Sequence, residues 1–246
     1  MTIINIDYII PTWNSDRTLK ATLSSIRQHG NPAKIIIMDR NSQDKTREIA
    51  ESFGAEVHNC TKKLGAARWY GARLADTKKI VFVDDDIVLP ENWLEVISYD
   101  WPSNVGAVGG HYHDIAPRQS ETGFMGCTIV NKDLFLQAVG IKRFGSGEDG
   151  YFGKWLTSRE LKWTTLPVSC HHNATYNADH TRWGAAGRRL VSGFSLTQVK
   201  RIVGGAIFGI PIRGGIGYWE NARIRYDYMI GYLHPNKYND MDRNMK

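Results

Sequence analysis

A chain of 246 residues, 42% of them hydrophobic, can bury one substantial core, either as one large domain or as two smaller ones. A charged fraction of 23% together with eight tryptophans excludes wholesale disorder, while a formal net charge of +6 suits an anionic ligand or an acidic membrane surface. The three cysteines, Cys60, Cys127 and Cys170, form no CxxC pair, which argues against a disulfide framework or a four-cysteine zinc site and for a reducing, cytoplasmic compartment.

The first hundred residues alternate in period. Ile3 to Ile10 is a β-branched apolar run ending at Pro11, which predicts a buried strand. Leu19, Leu23 and Ile26 follow at helical spacing, with Ser15 or Asp16 expected as the cap and Gly30 as the stop. Lys34 to Met38 predicts a second buried strand, stopping at Asp39. A short helix through Arg47, Ile49, Ala50 and Phe53 closes at Gly54. Ala55 to His58 predicts a weaker strand, Leu64 to Ala75 a helix, and Ile80 to Val83 a strand that stops at Asp84.

Strands alternating with helices through short loops predict an α/β fold with a mostly parallel central sheet flanked by helices. Ligands of such sheets bind beyond the carboxyl ends of the strands. Three polar groups interrupt strand ends here: Thr12 to Asn14, Asp39, and Asp84, Asp85 and Asp86. All three are therefore expected on one rim. Three adjacent carboxylates repel one another, and a hard cation such as Mg²⁺ or Mn²⁺ bound with substrate phosphates would compensate them. A solvated acidic turn is the plainer alternative.

The second half is less regular. Val105 to Gly110 and Gly123 to Val130 read as strands, Asp149 to Leu156 as a helix, and Leu161 to Val168 as a short strand. From Ser195 onward glycine, aromatic and arginine residues mix, without an internal repeat. No stretch reaches the about 20 apolar residues of a membrane span. The opening MTIINIDYIIPTWN lacks the basic region and cleavage site of a signal peptide.

Five ordered motifs resemble the family 2 glycosyltransferases, which have the GT-A fold, over about residues 3 to 195. They are IIPTWN at residues 9 to 14, MDRNSQDKT at 38 to 46, KLGAARWYG at 63 to 71, VDDD at 83 to 86, and GED at 147 to 149. The resemblance implies a nucleotide-sugar donor bound by Pro11, Thr12, Asn14, Asp39, Gly65, Arg68, Asp84 and Asp85. In it Asp39 accepts a hydrogen bond from the base and Arg68 lies near the base or phosphates. Asp86, with Asp84, would ligate a divalent metal, Mn²⁺ or Mg²⁺, and one of His171 and His172 would complete its shell. Adjacent strand residues point to opposite faces, so only one of the two histidines is expected at the site.

The resemblance also implies that Asp149 is the catalytic base, with Glu148 and Trp183 on the acceptor side. Capping of the helix that starts there would by itself favour acids at both positions. The chain departs from the family pattern after Asp39, where Arg40 and Asn41 replace the usual second acid and glycine. A uridine donor is favoured over a guanosine one on the family pattern, and Arg40 bears on that choice.

These readings predict a metal-assisted sugar transfer with inversion, to a hydroxyl of a glycan, a lipid-linked or another acceptor. The catalytic domain is expected over residues 1–195, with a donor half (1–100) and an acceptor half (101–195). Residues 196–246 would form a helical or irregular extension, its aromatic and basic residues suiting a membrane surface or a homodimer contact. The expected location is the cytoplasm or the inner membrane surface. Two rivals remain: a non-catalytic nucleotide- or glycan-binding module, and a sugar-phosphate nucleotidyltransferase, whose glycine-rich N-terminal loop is missing from PTWNSDRT. Nucleic-acid binding has only net charge behind it.

Overall fold

A computed structural model describes residues 5–112, 123–173, 178–207 and 218–238, with the side chains of a few helical residues, Trp183 among them, outside the description. In chain order the elements are β1 (Ile6–Thr12), α1 (Leu19–His29), β2 (Pro32–Asp39), α2 (Thr46–Ser52), β3 (Glu56–Asn59), α3 (Leu64–Leu74), β4 (Lys79–Val83) and β5 (Ile87–Val88). A short turn of 3-10 helix at Glu91–Trp93 leads into α4 (Leu94–Ile97). Then come β6 (Val105–Tyr112), β7 (Cys127–Asn131), α5 (Lys132–Gln137), α6 (Glu148–Thr157) and β8 (Lys162–His172). Among the described residues the last elements are the helices α7 (Ala178–Ser192), α8 (Leu196–Ile207), α9 (Tyr218–Leu233) and α10 (Pro235–Tyr238).

The strands form one sheet in the order β3-β2-β1-β4-β7-β6-β8-β5. β3, β2, β1 and β4 run parallel, and β8 runs parallel to β6. β7 is antiparallel to both its neighbours and β5 is antiparallel to β8, so the sheet is mostly parallel, as expected, with its unbroken parallel run in the N-terminal half. The chain passes from β1 outward to β3, then returns on the other side of β1 as β4. The strand order thus reverses between β1 and β4, and open α/β sheets bind ligands beyond the carboxyl ends of their strands at such a point.

Both faces of the parallel half are covered, which is why its strands read as unbroken apolar runs. Tyr8, Ile10, Val81 and Val83 pack on one face with Leu19, Leu23 and Ile26 of α1 and with Trp93. On the other face Phe82 meets Phe135 with ring centroids 4.6 Å apart, and Phe135 meets Phe152. α3 lies so close to β1 and β2 there that a Cβ on Gly71 would stand 2.5 Å from Ile9 Cγ2 and 3.1 Å from Met38 Cγ.

Helix α1 starts later than a cap at Ser15 or Asp16 would place it. The Ser15 carbonyl accepts from the Thr18 and Leu19 amides, while its hydroxyl is occupied by the Trp13 amide and Asp85. β7 likewise begins at Cys127 rather than Gly123, because Phe124 O accepts from the Cys127 amide and the Thr128 hydroxyl in a turn.

The chain divides into two compact units, residues 1–143 with 152–174, and residues 144–151 with 175–246. This division falls before α7, ahead of the boundary expected at 195. The reason is local to the second unit: α7 packs on α9 through a pair in which Arg182 Nε and Nη2 donate to the buried Asp227 Oδ1 at 2.9 and 2.6 Å. The helices touch closely enough that a Cβ on Gly231 would fall 1.9 Å from the Arg182 carbonyl oxygen. Tyr232 adds a tie, its hydroxyl accepting from the Ser195 amide and donating to Gly193 O. Arg182 is thus a helix-packing residue.

Replacing Gly71 by alanine forces α3 off the sheet. The variant is expected to lose about 1–3 kcal/mol of stability, read as a lower urea midpoint at unchanged secondary structure by circular dichroism.

Candidate active site

The parallel register sets Thr12 beside Asp39 at the ends of β1 and β2. The Thr12 hydroxyl donates to Asp39 Oδ1 at 3.0 Å, and the Ser42 hydroxyl donates to the same oxygen at 2.6 Å. Asp39 Oδ2 accepts from the Ser42 amide and from Arg47, each at 3.0 Å. An ionised carboxylate offers about four acceptor sites, and this fully buried one has filled them inside the protein. What Asp39 does here is close an Asx-type turn that fixes the loop after β2.

That loop is stitched to the one after β1. Asn14, with φ of 52°, turns the backbone in the left-handed region that asparagine tolerates. Its amide donates to Ser42 Oγ, and its side-chain oxygen accepts from the Gln43 amide at 2.9 Å. The Ser15 amide donates to Thr46 Oγ1 and the Asp16 amide to Asp44 Oδ2. The Arg40 amide donates to Thr12 O at 2.9 Å. Asn14, expected as a donor-binding residue, has its side chain in this seam.

The three consecutive aspartates diverge. Asp84 turns to α3, where Arg68 Nη2 donates to Oδ1 at 2.7 Å, and its Oδ2 lies 3.4 Å from the Tyr112 hydroxyl. Arg68 is 1% exposed and lies over the Phe82 ring, so it is a buried partner of Asp84 rather than a surface cation. Gly126 makes room for Asp84, since a Cβ there would stand 2.2 Å from Asp84 Oδ2. Asp85 points to the Ser15 hydroxyl and its carbonyl accepts from Thr22 Oγ1, which anchors the strand end to α1. Asp86 faces β8: its Oδ2 lies 3.4 Å from His172 Nε2. The antiparallel pairing of Ile87 with His172 produces that approach and leaves His171 exposed on the other face. His172 stacks on Tyr112, which stacks on Phe124, so the imidazole is held in place.

Desolvation pushes the Asp84 carboxyl up against the pull of Arg68, and Asp86 raises it further. Asp85 is pushed up to about 7 by burial first and then by Asp86. Carboxyls held above their ordinary range by burial and by one another are a donor set that a divalent cation would relieve. Among the described residues no group of three histidine, cysteine or acidic side chains is arranged to hold a metal on its own. Two protein ligands with substrate phosphates suffice for Mg²⁺ or Mn²⁺, and Asp86 with His172 fits that pattern.

Of the remaining expected residues, Pro11 lies in β1 opposite Met38 and Gly65 is buried in the first turn of α3. Glu148 and Asp149 open α6 and belong to the second unit, Glu148 buried and Asp149 half-buried with Oδ1 accepting from the Gly150 amide at 2.6 Å. They sit beside α7 because Gly147, at φ of 78°, meets Gly187 backbone to backbone. The Trp183 side chain lies outside the described residues. The sequence missed Tyr112, Gly126 and Ser15. Tyr112 and Gly126 come from β6 and the turn before β7, which only the antiparallel pairing brings to Asp84.

Comparison with known proteins agrees with this architecture. The family described as Glycosyl transferase family 2 matches residues 7–123. The chain is 28% identical over 199 residues to a 4,4'-diaponeurosporenoate glycosyltransferase of Staphylococcus aureus (strain USA300), covering 76% of this chain and 49% of that protein. The chain thus spans about half the length of this curated relative. Among solved structures, the mannosyltransferase PcManGT from Pyrobaculum calidifontis in complex with GDP-Man and Mn²⁺ superposes with a TM-score of 0.66 at 14% identity, covering 94% of this chain and 87% of that one. Glucosyl-3-phosphoglycerate synthase from Mycobacterium tuberculosis, in complex with Mn²⁺, UDP and phosphoglyceric acid, gives 0.58 at 14% identity over 78% of this chain and 79% of that one. At such identities the likeness is one of fold.

Removing Arg68 leaves Asp84 without its cation. Arg68→Leu is expected to cost about 3 kcal/mol, the low end for breaking a buried pair because Asp84 is one-third exposed. Adding Asp84→Asn should recover part of that loss in a double-mutant cycle by urea unfolding; full additivity would mean that the pair contributes nothing.

Proposed function

We propose that the chain is a family 2 glycosyltransferase, as the match of residues 7–123 to that family supports, and that it moves a sugar from a nucleoside-diphosphate donor to an acceptor hydroxyl by single displacement with inversion. The observation that supports this most directly is the approach of Asp86, just past the end of β4, to within 3.4 Å of His172 at the end of β8. Oxygen ligands with one imidazole suit Mn²⁺ or Mg²⁺, and both solved relatives described above are complexes with Mn²⁺. Asp86 and His172, with Asp84 assisting, would hold that ion. Bound there, it would supply positive charge to the departing diphosphate.

The chain's own residues do the rest. The seam joining the β1 and β2 loops, tied through Thr12, Asp39 and Ser42, forms a rigid floor for the nucleoside. Asp149 accepts the proton of the acceptor hydroxyl as that oxygen attacks the anomeric carbon. Attack opposite the leaving diphosphate inverts the anomeric centre. Glu148 and Trp183 are assigned to the acceptor side.

We also place the second unit at a cytoplasmic membrane surface. No helix among the described residues is long and apolar enough to cross a membrane. The α7–α8 corner, however, exposes Leu190, Phe194 and Leu196 beside the basic Arg188, Arg189 and Lys200. Phe194 and Leu196 are 54% and 61% exposed, a composition that suits anionic lipid.

In an assay of released nucleoside diphosphate with Mn²⁺ present, Asp149→Asn is expected to lower kcat by about 10²–10⁴-fold with the fold intact. Asp86→Asn should abolish the metal dependence of nucleotide binding seen in a thermal-shift panel. Near-normal turnover of both variants at saturating donor would remove these assignments. Co-sedimentation with vesicles containing anionic lipid tests the surface: replacing Phe194 and Leu196 together by aspartate should weaken binding by at least about tenfold, whereas wild-type protein left in the supernatant would refute it.

A further inference from the structure

The histidine that faces Asp86 is fixed by more than its own strand. Along the backbone, Ile87 pairs with His172 and the Asn173 amide donates to Asp86 O at 2.9 Å, so β5 and β8 set the distance between the two main chains. They do not set the imidazole, which turns about two side-chain torsions of its own. A ring from a third strand does that. In β6, Tyr112 pairs with Cys170, two residues before His172 on β8, and its ring stacks on the imidazole with centroids 4.8 Å apart and planes at 22°.

Tyr112 is itself held on three sides. Phe124 stacks on it with centroids 4.5 Å apart and planes at 20°, and two rings stacked this closely on a third occupy its opposite faces. At the tip, a Cβ on Gly126 would stand 2.4 Å from the Tyr112 hydroxyl and 2.2 Å from Asp84 Oδ2. The missing Cβ is what lets the phenol come to 3.4 Å from that carboxylate. At 6% exposure, a side chain so enclosed keeps one rotamer. One residue therefore touches two of the three side chains assigned above to the metal, His172 by its ring and Asp84 by its hydroxyl. Ligands held in advance lose less freedom when the ion arrives, and residues that orient a ligand are worth about 10–100-fold in metal affinity.

Given the metal site proposed above, on which this rests, we propose that Tyr112 is its positioning residue: the ring presets the plane of His172, so that the imidazole and Asp86 can share one divalent ion. The test titrates the full chain with Mn²⁺, alone and with UDP or GDP, and reads bound metal by electron paramagnetic resonance. Tyr112→Leu, which removes the ring, is expected to weaken Mn²⁺ binding by about 10–100-fold. Tyr112→Met serves if the leucine variant does not fold. Tyr112→Phe keeps the ring and should retain most of the affinity. In a His172→Ala background, which itself binds more weakly, Tyr112→Leu should add little, a coupling that a general loss of stability would not produce. Three results overturn the role of Tyr112 while leaving the metal site: wild-type affinity in a folded leucine or methionine variant, a phenylalanine variant as weak as the leucine one, or an equal loss with and without His172. Unchanged affinity in His172→Ala alone removes the histidine from the metal, and a wild-type chain that binds no Mn²⁺ removes the site; either takes this inference with it.

Discussion

Three consecutive carboxylates at the end of a strand buried on both faces cannot share one environment, because their mutual repulsion and desolvation would raise all of them together. The structure separates them into three directions. Asp84 goes to Arg68 and Tyr112, Asp85 to Ser15 and Thr22, and Asp86 to His172. Each direction recruits a different element: α3, the start of α1, and β8. The helix carrying Arg68 can lie near enough only because Gly71 lets it approach Ile9, and Asp84 has room only because residue 126 has no Cβ. The packing of the N-terminal half is therefore organised around the placement of these acids.

Asp39 illustrates how a buried residue at a strand end can hold two loops together. Its four hydrogen bonds to Thr12, Ser42 and Arg47 make it the hub of the loops that follow β1 and β2.

The second unit follows a separate logic of close helix contacts. Gly147 against Gly187 and Gly231 against Arg182 O allow backbones to touch, and the Arg182–Asp227 pair satisfies the charge that this proximity buries. The same packing leaves the α7–α8 corner with apolar side chains facing outward beside basic ones.

Much of the fold was legible in the residues themselves. A parallel strand covered on both faces must be apolar throughout, so β1, β2 and β4 announce themselves, and their terminal polar residues mark the rim because nothing polar is tolerated earlier. Thr12, Asp39 and Asp84 to Asp86 were placed on one edge by that reasoning alone. Local pattern does not encode which neighbour a side chain will meet across the sheet. The antiparallel β7, the choice of His172 over His171, the burial of Arg68 and the saturation of Asp39 all depend on contacts between residues far apart in sequence. The unit boundary ahead of α7 is of the same kind, since it is set by α9. The sequence determined the strands, the rim and the acids at its edge; tertiary structure decided what each acid faces, because pairing and packing across the chain are settled only when the distant elements come together.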